Sequence, residues 1–350
     1  MNGVLMIDQD LRWFFERTVE TVFSSFRSWQ SFTDAIGQAP TIFVNFSNAL
    51  AWPYVLSSII LAWLIYVFAR QSGSTTAASF REFAFPSQLY RHRSTALDVR
   101  FMTIDLFVTI LLCGPIFAGI GLLGTKIMSA VIVDWLSWAP PQTLSPMAIG
   151  LATAGFLLLS DFINYWSHVW FHKYPVLWSF HQVHHSAEVL TPAAAYRVHP
   201  VENIVFVILQ APIVGLSAVF FQNILGRDRQ IFMIFGVTVI GFVFLLLGTH
   251  LRHSHIWFSY GPWLNRVVMS PAHHQIHHSV EARHWNKNFG VKFTIWDALF
   301  GTLYAPREPE MLQVGLPNTT QREYSTVRKL YFLPFAKAAK GVLSLAHRRG

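Results

Sequence analysis

Apolar residues in this chain gather in long, nearly uncharged runs rather than in short alternations. Asn48–Ala69 carries no charge before Arg70. About 20 helical residues, rising about 1.5 Å each, cross a hydrocarbon core of about 30 Å. A second run covers Ile104–Val133, with a kink expected at Gly114-Pro115, where proline removes a backbone donor. A third begins near Met147 and turns polar beyond Ser160, at Asp161, Asn164 and His168. Runs four and five are Ile204–Phe221 and Ile231–Gly248, joined by a tight loop over Asn223–Gln230. The pattern predicts an all-α, multi-span integral membrane bundle of about five transmembrane helices.

Polar segments divide these runs. Residues 70–104 form a connection bearing Arg70, Arg81, Arg91, Arg93 and Arg100, and residues 134–146 a short turn with Pro140, Pro141 and Pro146. Residues 1–47 mix polar groups with Trp13, Phe14, Phe15, Phe23, Phe26, Trp29 and Phe32. They suit an amphipathic interfacial helix or an extramembrane cap equally well. Residues 285–304 read as soluble and aromatic-rich, followed by a basic tail. The expected division is a cap over 1–47, two spans with their connections over 48–146, a catalytic region over 147–305 and the tail over 306–350.

Composition agrees with the pattern. Only 13% of residues are charged and mean hydropathy is +0.37, where a soluble domain is about one quarter charged. The net charge of +8 is scattered over loops and tail rather than one helix face, which argues against nucleic acid and for anionic lipid. Cys113, the sole cysteine, excludes an intrachain disulfide and a thiolate metal site. No basic start followed by an apolar stretch marks a cleavable signal. Five arginines in 70–104 against Lys126 around the next turn put that connection in the cytoplasm. Counting spans then brings 168–199 and 250–284 out on the same side, with Arg227 and Arg229 outside.

Those two segments hold the chemistry. Of 16 histidines, 14 lie between His168 and His284; His92 and His347 stand apart as bystanders. His181-Gln182-Val183-His184-His185-Ser186 recurs as His274-Gln275-Ile276-His277-His278-Ser279. His168 and His172 are four apart, and His250 and His253 three apart. Residues three and four apart share a helix face, so four faces offer two or three imidazoles each, enough to enclose two metal ions. The candidate ligands are His168, His172, His181, His184, His185, His250, His253, His274, His277 and His278. His255 is an alternative to His250, and His273 falls on the wrong side of its helix. His199 and His284 suit contacts to the ligands or substrate. Asp161, Glu188, Glu202 and Asp297 could accept the free ring N–H of a ligand. The competing readings are a helix-start cap for Asp297 and an ion pair with Arg197 for Glu202. No side chain stands out as a catalytic acid or base. Imidazole suits zinc, iron, copper and nickel alike. Eight to ten rings exceed one tetrahedral zinc, and a redox metal pair at a membrane surface can use electrons, so iron is favoured.

The ordered motifs resemble the fatty acid hydroxylase/sterol desaturase superfamily of membrane di-iron oxidoreductases. They are Asp161-Phe162, Tyr165-Trp166, His168 and His172, the first hexapeptide, and Arg197-Val198-His199-Pro200-Val201-Glu202. After these come His253, the second hexapeptide, Asn288-Phe289-Gly290, and Trp296-Asp297 with Phe300-Gly301-Thr302. Residues 150–305 carry the likeness; the chain departs at His255 and Asn286, where the family often has Asn and Asp. The resemblance implies two non-haem irons, O2 as co-substrate, and hydroxylation or desaturation of a sterol, fatty acyl, ether-lipid or aminolipid substrate. A separate small haem cytochrome or ferredoxin would donate electrons. It extends the supporting set to Asn288. A zinc-dependent membrane hydrolase with Glu188 as base, and a metal transporter or sensor, are the rival readings.

Overall fold

The computed structural model describes residues 12–135 other than 13, 14 and 18, together with 145–225, 233–234 and 237–347. The Pro140-Pro141 turn, the Arg227 and Arg229 loop and the start of the N-terminal cap fall outside the described residues. Helices dominate: α1 (Trp29–Gly37), α2 (Trp52–Gln71), α3 (Arg93–Val108), α4 (Gly114–Ser129), α5 (Pro146–Lys173), α6 (Pro175–His185), α7 (Pro200–Leu225), α8 (Val239–Leu246), α9 (Pro271–His277) and α10 (Val327–His347). A two-residue antiparallel ladder pairs Met233–Ile234 with Val237–Thr238.

Among the described residues, four helical stretches are long and apolar enough to cross a membrane: Trp52–Gln71, Arg93–Ile132, Pro146–Lys173 and Pro200–Phe220. The fifth expected span, Ile231–Gly248, differs. Its described part is the short ladder and the eight-residue α8, and left-handed Gly248 turns the chain just before His250. The second span begins eleven residues earlier than expected, at Arg93. Its irregularity is a π-turn over Thr109–Cys113, immediately before Gly114-Pro115. Proline cannot donate to the carbonyl four residues back, and the wider turn absorbs that lost bond.

The chain forms two compact units. The first comprises residues 1–42, 105–164 and 203–239. There α4 and α7 approach at glycines: a Cβ built on Gly215 would clash with the Gly124 carbonyl oxygen. Gln210 on α7 donates to the Ser160 carbonyl and the Asn164 Oδ1, each at 2.8 Å. Small residues and polar bonds hold helices together where lipid removes the hydrophobic drive. The second unit comprises residues 43–104, 165–202 and 240–350. One of its cores packs Leu97, Phe101, Val183, Leu316, Tyr324 and Leu330 behind α6. Another packs Ala62, Leu251 and Ile256 behind the 3-10 turn Thr249–His253. Both hexapeptides lie in this unit.

Candidate metal centre

Helix α6 starts on Pro175 and ends at Ser186, so the first hexapeptide forms its last turn. Helix α9 carries the second. Its cap is Ser270, whose Oγ lies 2.8 Å from His273 Nδ1. That bond explains why His273 turns away from the other rings, as its position on the helix predicts.

Nine rings converge in two groups. His168, His172, His181, His185 and His277 form one, and His184, His253, His274 and His278 the other; the donor atoms of each lie within 4.8 Å of one another. The hexapeptides divide between the groups in a crossed fashion. His181 and His185 enter the first while His184 enters the second; His274 and His278 enter the second while His277 enters the first. Adjacent residues on a helix point about 100° apart, so one turn can feed both groups. The groups touch: the His185 and His278 ring centroids are 4.6 Å apart.

Ring orientation fixes what the nitrogens offer. His168 Nδ1 lies 2.8 Å from the Phe289 carbonyl oxygen and His277 Nδ1 2.9 Å from that of Lys287. A carbonyl only accepts, so both Nδ1 atoms carry the proton and both Nε2 atoms present a lone pair. His181 Nδ1 donates in the same way to the Glu202 Oε1 at 2.8 Å. The inward Nε2 atoms then face one another: His168 to His181 at 3.2 Å and His185 to His181 at 3.1 Å. In the second group His253 Nε2 lies 3.1, 3.0 and 3.1 Å from the Nε2 atoms of His184, His274 and His278. His172 and His277 Nε2 are buried without a protein partner. Two lone pairs at this separation, as on His168 and His181, repel unless a cation lies between them, and donors about 2.1 Å from one ion lie roughly 3.0–3.4 Å apart, at right angles or tetrahedrally. Both groups therefore have the donor set and spacing to hold a metal ion. Burial pushes His181 and His184 down to about 3, so both are neutral and ligand-competent at physiological pH.

Other candidates lie elsewhere. His250 is outside both groups; its Nε2 meets the Ala49 carbonyl at 2.9 Å. His255, the alternative, meets the Phe83 carbonyl at 2.8 Å. Segment 249–256 thus contributes His253 alone. His199 Nε2 meets the Tyr331 carbonyl at 2.9 Å, and His284 Nε2 lies 3.3 Å from Glu310. Glu202 bonds His181 rather than Arg197, whose fully buried guanidinium pairs with Asp98 instead. Asp297 makes no helix cap: its carboxylate accepts from the Phe289 and Gly290 amides, each at 2.8 Å. It thereby holds the loop whose Phe289 carbonyl orients His168. Asn288, left-handed at φ 58°, bonds the His273 and Tyr304 carbonyls. Asp161 is fully buried on α5 in the first unit. Glu188 pairs with Arg93 at 2.8 Å and belongs to neither group.

Sequence reasoning missed three supports. The Phe289 and Lys287 carbonyls are invisible because every residue has one. Asp98 lies 99 residues before Arg197, with no motif to link them. The hexapeptide glutamines could have been found, since the repeat carries them. Gln275 Nε2 donates to the Leu251, Ser254 and Ile256 carbonyls at 2.8–3.0 Å and clamps the turn bearing His253. Gln182 Oε1 accepts from the Tyr324 hydroxyl at 2.8 Å.

Comparison with known proteins bears on this geometry. The fatty acid hydroxylase family profile matches residues 153–302, which contain all nine converging rings. An ornithine lipid hydroxylase of Rhizobium tropici is 29% identical over 49% of this chain and 46% of its own length. An alkylglycerol monooxygenase of Homo sapiens is 27% identical over 53% of this chain and 36% of its own. A Delta(7)-sterol 5(6)-desaturase of Aspergillus fumigatus is 30% identical over 45% of this chain and 49% of its own. The chain thus spans about half or less of the length of these relatives. No solved structure matches it. With its histidine motifs gathered into two adjacent cages, the region 153–302 is similar to the fatty acid hydroxylase family, and the likeness extends to a sterol desaturase.

Proposed function

We propose that the chain is a membrane-bound oxidoreductase that uses O2 and external electrons to hydroxylate or desaturate a lipid. Two iron ions would be held, one by His168, His172, His181, His185 and His277, the other by His184, His253, His274 and His278. The observation that carries this reading is the pair of touching cages, in each of which the ring donor atoms converge within 4.8 Å of one another. Nine donors in two adjoining sets exceed what a single tetrahedral zinc uses. When bound, the iron pair would supply O2 activation and abstraction of hydrogen from an unactivated C–H bond.

The chain's own residues set the stage. Glu202 and the Phe289 and Lys287 carbonyls hold ring tautomers, and such outer partners raise ligand basicity. A cavity of about 310 Å³ borders both cages, with His172, His185, His277 and His278 on its wall beside Trp178 and Trp285. Among the described residues no Asp, Glu, Lys or Arg lines it, a lining that suits an uncharged part of the substrate. Glu188, the base a hydrolase would need, is committed to Arg93. The substrate class is a sterol, fatty acyl, ether or amino lipid, consistent with the relatives' range. A small haem cytochrome or ferredoxin would deliver electrons at the cytoplasmic face of the membrane, the inner membrane in a bacterium.

The test is metal analysis of the purified protein with lipid mass spectrometry of cells with and without the gene. The expected result is roughly two irons per chain and an O2-dependent lipid that has gained one oxygen or lost two hydrogens. Zinc alone after iron reconstitution, with no lipid changed, would defeat the proposal.

A further inference from the structure

A second cavity, of about 300 Å³, lies between α2, the short helices Phe80–Ala84 and Ser87–Tyr90, and segment 249–256. Its walls are apolar, and Val55, Ile59 and Ala62 contribute one face of α2 at helical spacing. Among the described residues no Asp, Glu, Lys or Arg lines it. Its two histidines, His250 and His255, already bond the Ala49 and Phe83 carbonyls. One wall atom is different. Ser58 Oγ is buried, with the residue 5% exposed, and has no hydrogen-bond partner among the described residues. Its neighbour Ser57 bonds the Tyr54 carbonyl at 2.9 Å, the usual way a helical serine is satisfied. A buried hydroxyl in a membrane-length helix is costly without a partner. The cavity supplies room for one.

We infer that this cavity binds the uncharged part of a membrane lipid: a hydrocarbon chain or ring system with a hydroxyl, ether or ester oxygen that hydrogen-bonds Ser58 Oγ. The occupant comes from the bilayer, because the lining helix is itself a candidate span. The inference deepens the proposed function and rests on it. The turn Thr249–His253 supplies His250 and Leu251 to the cavity wall, and its His253 enters the second cage. A bound lipid therefore lies against the turn that positions a cage ring.

The test uses the full-length, iron-reconstituted protein in detergent with two probes, an alkylglycerol and a sterol, each carrying an aliphatic diazirine. After irradiation, labels are expected on peptides covering Val55–Ala62 and Leu251–Ile256. Whichever probe labels identifies the source. Ser58→Ala should weaken that probe's binding about three- to tenfold, the loss of one hydrogen bond. Iron content should not change, and the melting temperature should hold or rise, because an unpaired hydroxyl has been removed. Ala62→Phe, which fills the cavity, should abolish labelling with iron retained. Labels outside the cavity, or Ser58→Ala binding as tightly as the unaltered chain, would overturn the inference whatever the activity. Labelling in the cavity of a protein that oxidises no lipid would uphold the site and remove the proposed function instead.

Discussion

At the residue scale the two histidines of the third group make opposite forecasts. His253 Nε2 faces three other ring nitrogens, whereas His250 is turned to the Ala49 carbonyl. His253→Ala should lower bound iron from roughly two to one per chain and cut activity by at least about 100-fold, by analogy with the loss of a unit residue in a catalytic set. His250→Ala should keep both ions, measured by metal analysis. Glu202→Gln should weaken metal binding about 10- to 100-fold in a chelator competition, as for other carboxylates that orient ligand rings. Burial also sets a pH dependence. His181 and His184 sit at about 3 in the folded chain but near 6.5 when unfolded. The unfolded state therefore binds more protons between these values, and stability falls as pH falls. Melting temperatures of chelator-treated protein should be flat above about pH 7 and decline below about 6.5. Residue type and spacing picked out all nine of the rings that converge. They could not tell His250 from His253, because only the fold decides which ring of a turn faces inward. Nor could they foresee that adjacent rings feed different cages.

At the scale of elements, two contacts should tolerate no change. Arg197 and Asp98 are both fully buried. The guanidinium also donates to the Ser186 and Ser94 carbonyls at 2.8 and 3.2 Å, tying the end of α6 to the start of α3. Removing one partner strands the other charge. Asp98→Ala should cost about 3–5 kcal/mol, read from thermal or denaturant unfolding in detergent. In the first unit, Gly215→Ala drives a methyl into the Gly124 backbone. It should cost about 1–3 kcal/mol through overpacking, while Gly150→Ala, with open space at its Cβ, should not. Hydropathy revealed four helices because length and apolarity suffice to define a span. Of the fifth run, Ile231–Gly248, the described residues hold only a short ladder and the eight-residue α8, which ends just before left-handed Gly248. Apolarity reports burial or lipid contact and says nothing of where a backbone leaves the helix.

For the whole molecule, the open quantity is which side of the membrane the cages face. Five arginines in residues 70–104 argue for the cytoplasm, and the structure lends that argument a direct probe. Cys113 is the only cysteine and is buried, so an introduced thiol is labelled against a silent background. Met311 is 98% exposed, and its substitution should change stability by less than about 0.5 kcal/mol. It belongs to the same unit as the cages. Its segment runs beside the second hexapeptide: Ser279 bridges Val314, and the Val280 amide donates to the Gln313 carbonyl at 2.9 Å. A thiol at 311 therefore reports the side on which His274, His277 and His278 lie. With Met311→Cys in sealed spheroplasts or intact cells, a membrane-impermeant maleimide should react only after the cytoplasmic side is opened. Labelling from outside would reverse the topology. It would also deny the cages the reductants of the cytoplasm, so the electron source would have to be a donor on the opposite face, even with ligands and chemistry unchanged.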